Sequence, residues 1–316
     1  MDYTQLGNTG LRVSRMGLGC GGPSQLGLRG GGSEENAEAV VRRALELGVN
    51  FFDTAETYLT EKLLGRVLRD VPRDEVVISS KKAATDRNDR FVSGADFLTG
   101  LEGSLARLGL DFIDVYHVHA LRPNEYDHAM AEIVPAMLRA REAGKIRHIG
   151  VTEMFIPDPG HAMLSRALSE ETPPWEVVMT GFNMLNPSAR ERVFSLTQEK
   201  GIGTLIMFAV RRALSQSGKL RELLDDLEKK GLLAPDVLPR ENPLGFLLEE
   251  GVARSVPEAA YRFCRHEPGA DVVLVGTGSI EHLEENARAI LAPKLPEEAL
   301  ARLDEIFGSV DCVSGN

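Results

Sequence analysis

The sequence predicts an α/β fold: a closed (β/α)8 barrel with an N-terminal β-hairpin and an inserted helical loop before the last strand. Three observations predict it. Short β-rich runs alternate with amphipathic stretches along all 316 residues, and that alternation implies parallel βαβ units. The runs number eight, the count that closes this kind of barrel. The glycine-rich segment 17–32, GLGCGGPSQLGLRGGG, is a long loop without a GK[ST] signature. It reads as a loop over a barrel mouth, not as the tight phosphate turn of an open dinucleotide-binding sheet.

The elements follow in order. Residues 3–14, YTQLGNTGLRVS, carry two short runs around the turn-rich Gly7-Asn8-Thr9-Gly10. They read as a hairpin placed to plug the barrel bottom. Strands are expected near 13–18, 49–53, 76–80, 112–118, 147–151, 177–182, 203–208 and 272–275. Helices are expected near 34–47, 60–70, 96–108, 126–143, 161–170, 187–200, 256–266 and 281–292. The first helix has a full set of signals. Ser33 can cap it, Glu34 and Glu35 suit its positive end, Val40, Val41, Ala44 and Leu45 share a face, and Gly48 stops it. In 96–108, Leu98, Leu101, Leu105 and Leu108 recur at helical spacing before Gly109. The stretch 209–255 is too long for a plain βα loop. Its charged core, 219–230, reads as a helix inserted at the mouth. No linker or repeat interrupts the chain, so residues 1–316 are expected to form one domain.

Composition excludes several function classes. The chain is 43% hydrophobic and 26% charged, which fits a globule and not a disordered or collagen-like chain. No stretch approaches the ~18 apolar residues that span a bilayer. Met1 is followed at once by Asp2 with no apolar leader, so a cytoplasmic location is expected. A net charge of −11 argues against binding nucleic acid. Cys20, Cys264 and Cys312 lie far apart, which fits a reducing compartment and offers no zinc site.

Catalytic groups of such a barrel stand at the C-terminal ends of its strands. The strand assignment puts Asp53, Lys81, His119, Thr152 and Glu153 there, with Tyr58 in the loop after Asp53. Strand alternation lets only one of Lys81 and Lys82 face the mouth. His117 and His119 share a face, as in metal-binding HxH pairs, so a metal-dependent barrel hydrolase is a competing reading. It needs further ligands on other strand ends, and most of those ends are apolar. A retaining glycosidase, which requires two carboxylates about 5 Å apart, is disfavoured by Met207-Phe208 at the end of the seventh strand.

With these residues stands a set of motifs: LGNTGLRVSRMGLG (6–19), FFDTAETY (51–58), VVISSK (76–81), DFIDVYHVH (111–119), GKIRHIGVT (144–152), FNMLN (182–186) and GTGSIEHLEEN (276–286). In this order the chain resembles an aldo-keto reductase over nearly its whole length. The resemblance implies a TIM barrel that reduces a small-molecule aldehyde or ketone with NADP(H), or oxidises the corresponding alcohol, with NAD(H) as the other possible dinucleotide. It implies Tyr58 as the proton donor, Asp53 and Lys81 as the pair beside it, and His119 as the group that orients the carbonyl; the motif register selects Lys81 over Lys82. A buried ammonium next to Tyr58 is expected to lower its pKa. No metal is called for. A barrel that binds nucleotide without turnover is the non-catalytic alternative.

The cofactor positions depart from the family's pattern. Where it usually clamps the nicotinamide carboxamide with Ser or Thr, Asn and Gln, and stacks the ring on an aromatic, this chain has Thr152, Glu153, Met179 and Met207. Thr152 can hydrogen-bond, Glu153 can only accept unless protonated, and Met207 offers a soft sulfur contact. The resemblance assigns Gly276, Thr277, Gly278, Ser279 and the helix start behind them to the adenosine phosphate. It puts His282 at the 2′-phosphate and Glu285 and Asn286 near adenine. Arg211, beside Arg212, is expected at the pyrophosphate. The usual Lys and Arg readers of the 2′-phosphate are replaced by Gly276 and His282, so weak discrimination between dinucleotides is expected. The pocket walls are expected from loops 20–32, 83–92, 120–125 and 209–240 and from the tail, with Arg29 and Arg122 as candidate partners for an anionic substrate.

Overall fold

The computed structural model describes residues 1–316. The chain opens on a hairpin of β1 (Tyr3–Gln5) and β2 (Arg12–Ser14), paired antiparallel. Eight parallel strands follow: β3 (Met16–Gly19), β4 (Phe51–Asp53), β5 (Val77–Ala83), β6 (Ile113–Leu121), β7 (Ile146–Glu153), β8 (Val177–Gly181), β9 (Gly203–Met207) and β10 (Val272–Val275). They close in sequence order, with β10 pairing back onto β3. The single strand expected over 13–18 is therefore two strands broken at Arg15. Ser14 belongs to the hairpin and Met16 to the barrel, because Ser14 ties itself to Asn50 and to the Met16 carbonyl. Gly17, Gly19 and Gly22 do fall at GxGxxG spacing. The first two are nonetheless strand residues of β3, so the spacing marks no phosphate turn.

The hairpin plugs the barrel. Leu6 at its tip is fully buried with Val13 against Phe51, Val77, Val115, Val177, Leu205 and Val272. Asp271 pins the tip by accepting from the Gly7 and Thr204 backbone N–H groups at 3.2 and 3.0 Å. The bottom is thus dry and closed, and only the opposite end is open to chemistry.

Helices cover the outside: α1 (Glu34–Glu46), α2 (Glu61–Leu68), α3 (Gly94–Leu108), α4 (Tyr126–His128) continuing through a π-turn into α5 (Val134–Glu142), α6 (Ala162–Ser169), α7 (Ser195–Lys200), α8 (Arg212–Ser215), α9 (Ser217–Lys229), α10 (Val256–Arg265), α11 (Ile280–Leu291) and α12 (Glu297–Phe307). Ser33 caps α1 by accepting from the Asn36 N–H at 3.2 Å, as its sequence signals predict. The longer helices bury an apolar stripe; α1 buries Ala37, Val40, Val41 and Ala44. The charged core of the insertion is helical because Leu220, Leu223, Leu224 and Leu227 form such a stripe in α9. The sequence reading missed α12, whose buried face is Ala299, Leu303, Ile306 and Phe307.

Candidate active site

A cavity of about 940 Å³ opens at the C-terminal ends of the strands. Its deep end is built by β4, β5 and β6. Lys81 is fully buried on the inner face of β5. Its ammonium donates to Asp53 Oδ2 at 2.6 Å and to the Thr54 carbonyl at 2.7 Å. Ser79, two residues earlier on the same face, donates to Asp53 Oδ1 at 2.7 Å. Tyr58 ends a short 3-10 turn after β4. Its Oη stands 3.2 Å from His119 Nε2, and Lys81 Nζ lies 4.8 Å from its ring centroid. The four residues singled out in the sequence thus meet in one place.

Electrostatics sorts their protonation. Burial works to lower the Lys81 pKa, but the Asp53 carboxylate beside it wins and holds it above the ordinary lysine value. Burial and the Lys81 charge bring His119 down to about 3, so its imidazole is neutral at physiological pH. Tyr58 corrects the expectation. Its pKa is raised, because burial outweighs the Lys81 charge. Asp53 already takes up much of that charge, so Lys81 offers a weaker pull on the phenolate than a free ammonium would. Lys82 points away from the mouth but is not free in solvent. It bridges to Glu56 at 2.8 Å and lies across Gly100.

His117 sits below, fully buried with its ring flat on Gly150, where a Cβ would overlap it. No group of three His, Cys, Asp or Glu side chains gathers around it or elsewhere. Between Val118 and Leu121 the β6–β7 register shifts. Ala120, at φ +51°, turns its N–H to Thr152 Oγ1 at 2.6 Å. The Thr152 hydroxyl proton stays free to donate.

The remaining cofactor candidates divide. Thr152, Glu153, Met179, Met207, Arg211, Arg212 and Gly276 line the cavity. The Glu153 carboxylate is nevertheless spoken for: it accepts from Thr180 Oγ1 and the Gly181 N–H at 2.8 Å and contacts His161 Nδ1 at 3.0 Å, all buried. It braces β7 against β8 and the start of α6 mainly through Oε1, and its side chain is fully buried. Arg211 lies flat over Phe208 at 4.0 Å, and burial followed by the neighbouring Arg212 lowers its pKa. Beyond Gly276 the group leaves the cavity wall. Thr277 accepts from the Ser279 N–H, Ser279 caps α11, Gly278 packs under Gly27, and His282 and Glu285 are exposed on α11 with Asn286 beside them.

Several wall residues escaped the sequence reading. Loop 154–157 (Met154, Phe155, Ile156, Pro157) lines the cavity, whereas loop 83–92 does not. The tail returns to the mouth: Asn186 Nδ2 holds the Val313 carbonyl, the Ala213 N–H holds that of Gly315, and Asn316 reaches the wall. Arg29 is exposed outside the cavity, and Arg122 is bridged to Asp89 and Glu125. Ser79 was findable, as the inward neighbour of Lys81 at period two. The tail is a wall the sequence leads one to expect, whereas its anchors, Asn186 and the Ala213 N–H, leave no local signal.

Comparison with known proteins agrees with this geometry. The model of the Aldo/keto reductase family matches residues 15–307. L-galactose dehydrogenase of Arabidopsis thaliana is 28% identical over 98% of this chain and 95% of its own length. Aldo-keto reductase YhdN of Bacillus subtilis is 30% identical over 90% and 88%. Among solved structures, the holo form of aldo-keto reductase AKR11C1 from Bacillus halodurans superposes with a TM-score of 0.72 at 25% identity, covering 96% of both chains. A closed eight-stranded barrel with an N-terminal hairpin and a family match over most of the chain lead to one conclusion: this is an oxidoreductase of carbonyl compounds that belongs to the aldo/keto reductase family.

Proposed function

We propose that the chain reduces a small-molecule aldehyde or ketone, or oxidises the corresponding alcohol, with NADP(H) as its dinucleotide and NAD(H) accepted. The observation that carries this reading is the 3.2 Å approach of Tyr58 Oη to His119 Nε2 above the buried Lys81–Asp53 pair. The bound nicotinamide supplies or accepts the hydride. Everything else falls to the protein. A carbonyl oxygen placed between Tyr58 and His119 receives hydrogen bonds from both. As charge builds on that oxygen, Tyr58 gives up its proton. Lys81 then stabilises the phenolate left behind, and Asp53, itself held by Ser79, keeps Lys81 in place. Neutral His119 can donate through Nε2 only as the corresponding tautomer.

The residues present fit a dinucleotide. The cavity is long enough to run from Tyr58 to Gly276, with unpaired Arg211 and Arg212 on its wall and the thioethers of Met179 and Met207 on its floor. Thr152, with its free hydroxyl proton, is the remaining carboxamide donor; Glu153 serves as a brace behind it. A weak preference for the 2′-phosphate follows from the surface near α11. His282 and the hydroxyls face it without a Lys or Arg, Arg43 is taken by Glu46 and Glu284, and Arg288 bonds to the Glu284 carbonyl.

A screen of aldehydes, keto compounds and sugars with each dinucleotide, alongside fluorescence titration of NADPH and NADH, tests the proposal. Dinucleotide binding with turnover of at least one carbonyl or alcohol supports it. Binding without turnover of any substrate would favour the non-catalytic barrel.

A further inference from the structure

We infer that residues 21–36 form a strap that ties the position of Tyr58 to occupancy of the 276–279 loop; this rests on Tyr58 being the proton donor and on that loop holding phosphate. The strap touches both ends of the cavity. At the tyrosine end, Gly21 is the seat of the Tyr58 ring: a Cβ there would overlap three ring carbons. Gln25 Nε2 donates to the Tyr58 carbonyl at 3.2 Å, and the Gln25 N–H is itself bonded to the Gly21 carbonyl at 3.2 Å. At the other end, Gly27, at φ +91°, is packed backbone to backbone against Gly278, where a Cβ on Gly278 would collide with the Gly27 backbone at 2.3 Å. Asn36 Nδ2, on the first turn of α1, donates to the Gly278 carbonyl at 2.8 Å. Between the two ends Leu26 is fully buried, so the strap is pegged to the core in its middle.

Two features make this a transmitter and not a loose cover. The Gly27–Gly278 contact has no side chain to absorb a shift, so a displacement of the 276–279 backbone passes directly to Gly27. Tyr58 is held by only a few groups: the Gly21 seat, Gln25, its own turn bond to Ala55, His119 and the Lys81 ammonium over its ring. Gln25 makes no contact with reacting atoms in this scheme and is a positioning residue. Ordering the strap through phosphate contacts at one end therefore orders the tyrosine at the other.

ADP-ribose tests this, because it carries the adenosine and pyrophosphate but no nicotinamide to touch Tyr58. Hydrogen exchange is followed with and without ADP-ribose for peptides covering 55–60 and 276–282. In the wild-type chain ADP-ribose is expected to slow both, the tyrosine peptide by about threefold to tenfold. Gln25→Leu is expected to bind ADP-ribose equally well and keep protection at 276–282, but lose it at 55–60. Gln25→Lys, which restores a donor, is expected to recover it. In turnover, Gln25→Leu lowers kcat severalfold and leaves the dinucleotide KM unchanged. Bound ADP-ribose with no change at 55–60 in the wild type, or equal protection in Gln25→Leu, overturns the strap. Failure of ADP-ribose to bind takes down the cofactor reading and the strap with it.

Discussion

At the tyrosine end of the cavity, Asp53, Lys81 and His119 stand on strand ends, Asp53 and Lys81 hold each other in a buried pair, and Tyr58 follows one short turn away. At the glycine end, the candidate residues from Thr277 to Asn286 stand on a loop and a surface helix, and most of their polar atoms face solvent or their own loop. The first end is fixed by barrel register: β4, β5 and β6 pair in order, so Asp53 falls beside Ser79 and Lys81 beside His117. The second is fixed by loop packing, chiefly Gly27 on Gly278. Strand pairing leaves little freedom, so substitutions at the tyrosine end are expected to be severe. Loops share contacts among several groups, so effects at the glycine end are expected to be graded.

The sharpest break in the comparison is Lys81→Met against Lys82→Met. Removing Lys81 strands Asp53 as a buried charge, a loss of about 3–5 kcal/mol. The activity loss is expected to equal or exceed that of removing the Tyr58 hydroxyl. Lys82 is in a partly exposed pair with Glu56, worth about 0–1 kcal/mol, so its loss is mild. Urea unfolding and steady-state rates on both variants check this; an essential Lys82 would mean that β5 presents the opposite face to the cavity.

Tyr58→Phe comes next. It is expected to cost reduction ~10²–10⁴-fold and to leave dinucleotide binding intact, since only the proton donor is lost. Near wild-type turnover would remove Tyr58 from the mechanism.

A milder probe of the same end is pH. Burial keeps Tyr58 protonated above its usual range, and His119, at about 3, does not titrate near neutrality. Reduction needs the protonated phenol. Its kcat is therefore expected to be flat from about pH 5 to 8 and to fall only as alkaline pH deprotonates Tyr58, while alcohol oxidation rises there. An inflection near pH 6.5 in the wild type would place an ordinary, accessible histidine in the proton path.

The smallest expected effect belongs to the glycine end. Without a Lys or Arg at Gly276 or His282, each missing charge-assisted bond to a 2′-phosphate removes about one to two powers of ten in preference. The ratio of kcat/KM for NADPH over NADH is expected to stay below about a thousand. A larger ratio would mean that Arg288 or Arg211 reaches the phosphate and that this end is as tightly specified as the other.

The same contrast explains what was legible in the sequence. Period-two alternation on β5 put Lys81 and Lys82 on opposite faces, the motif register then chose Lys81 as the inward one, and the HxH spacing put His117 below His119, because a strand imposes its own geometry on every residue in it. The strand count and the hairpin turn were legible for the same local reason. The engagement of Glu153 was not legible. Thr152 and Glu153 are adjacent in sequence, yet one keeps a free hydroxyl proton at the cavity while the other is buried against Thr180, Gly181 and His161 from elements further along the chain.

The sequence by itself determined the eight βα units and the hairpin, because hydrophobic period, turn chemistry and strand register are local properties; the family, and the four residues proposed at the tyrosine end, were legible through the resemblance of ordered motifs. The tertiary structure alone decided that Tyr58 titrates upward, that Lys82 is paired, that loop 154–157 walls the cavity, and that Gly27 meets Gly278. Each of these depends on burial or on contact between residues distant along the chain. A pKa is set by the balance between desolvation and one neighbouring charge, and that balance exists only once the barrel has closed around the lysine.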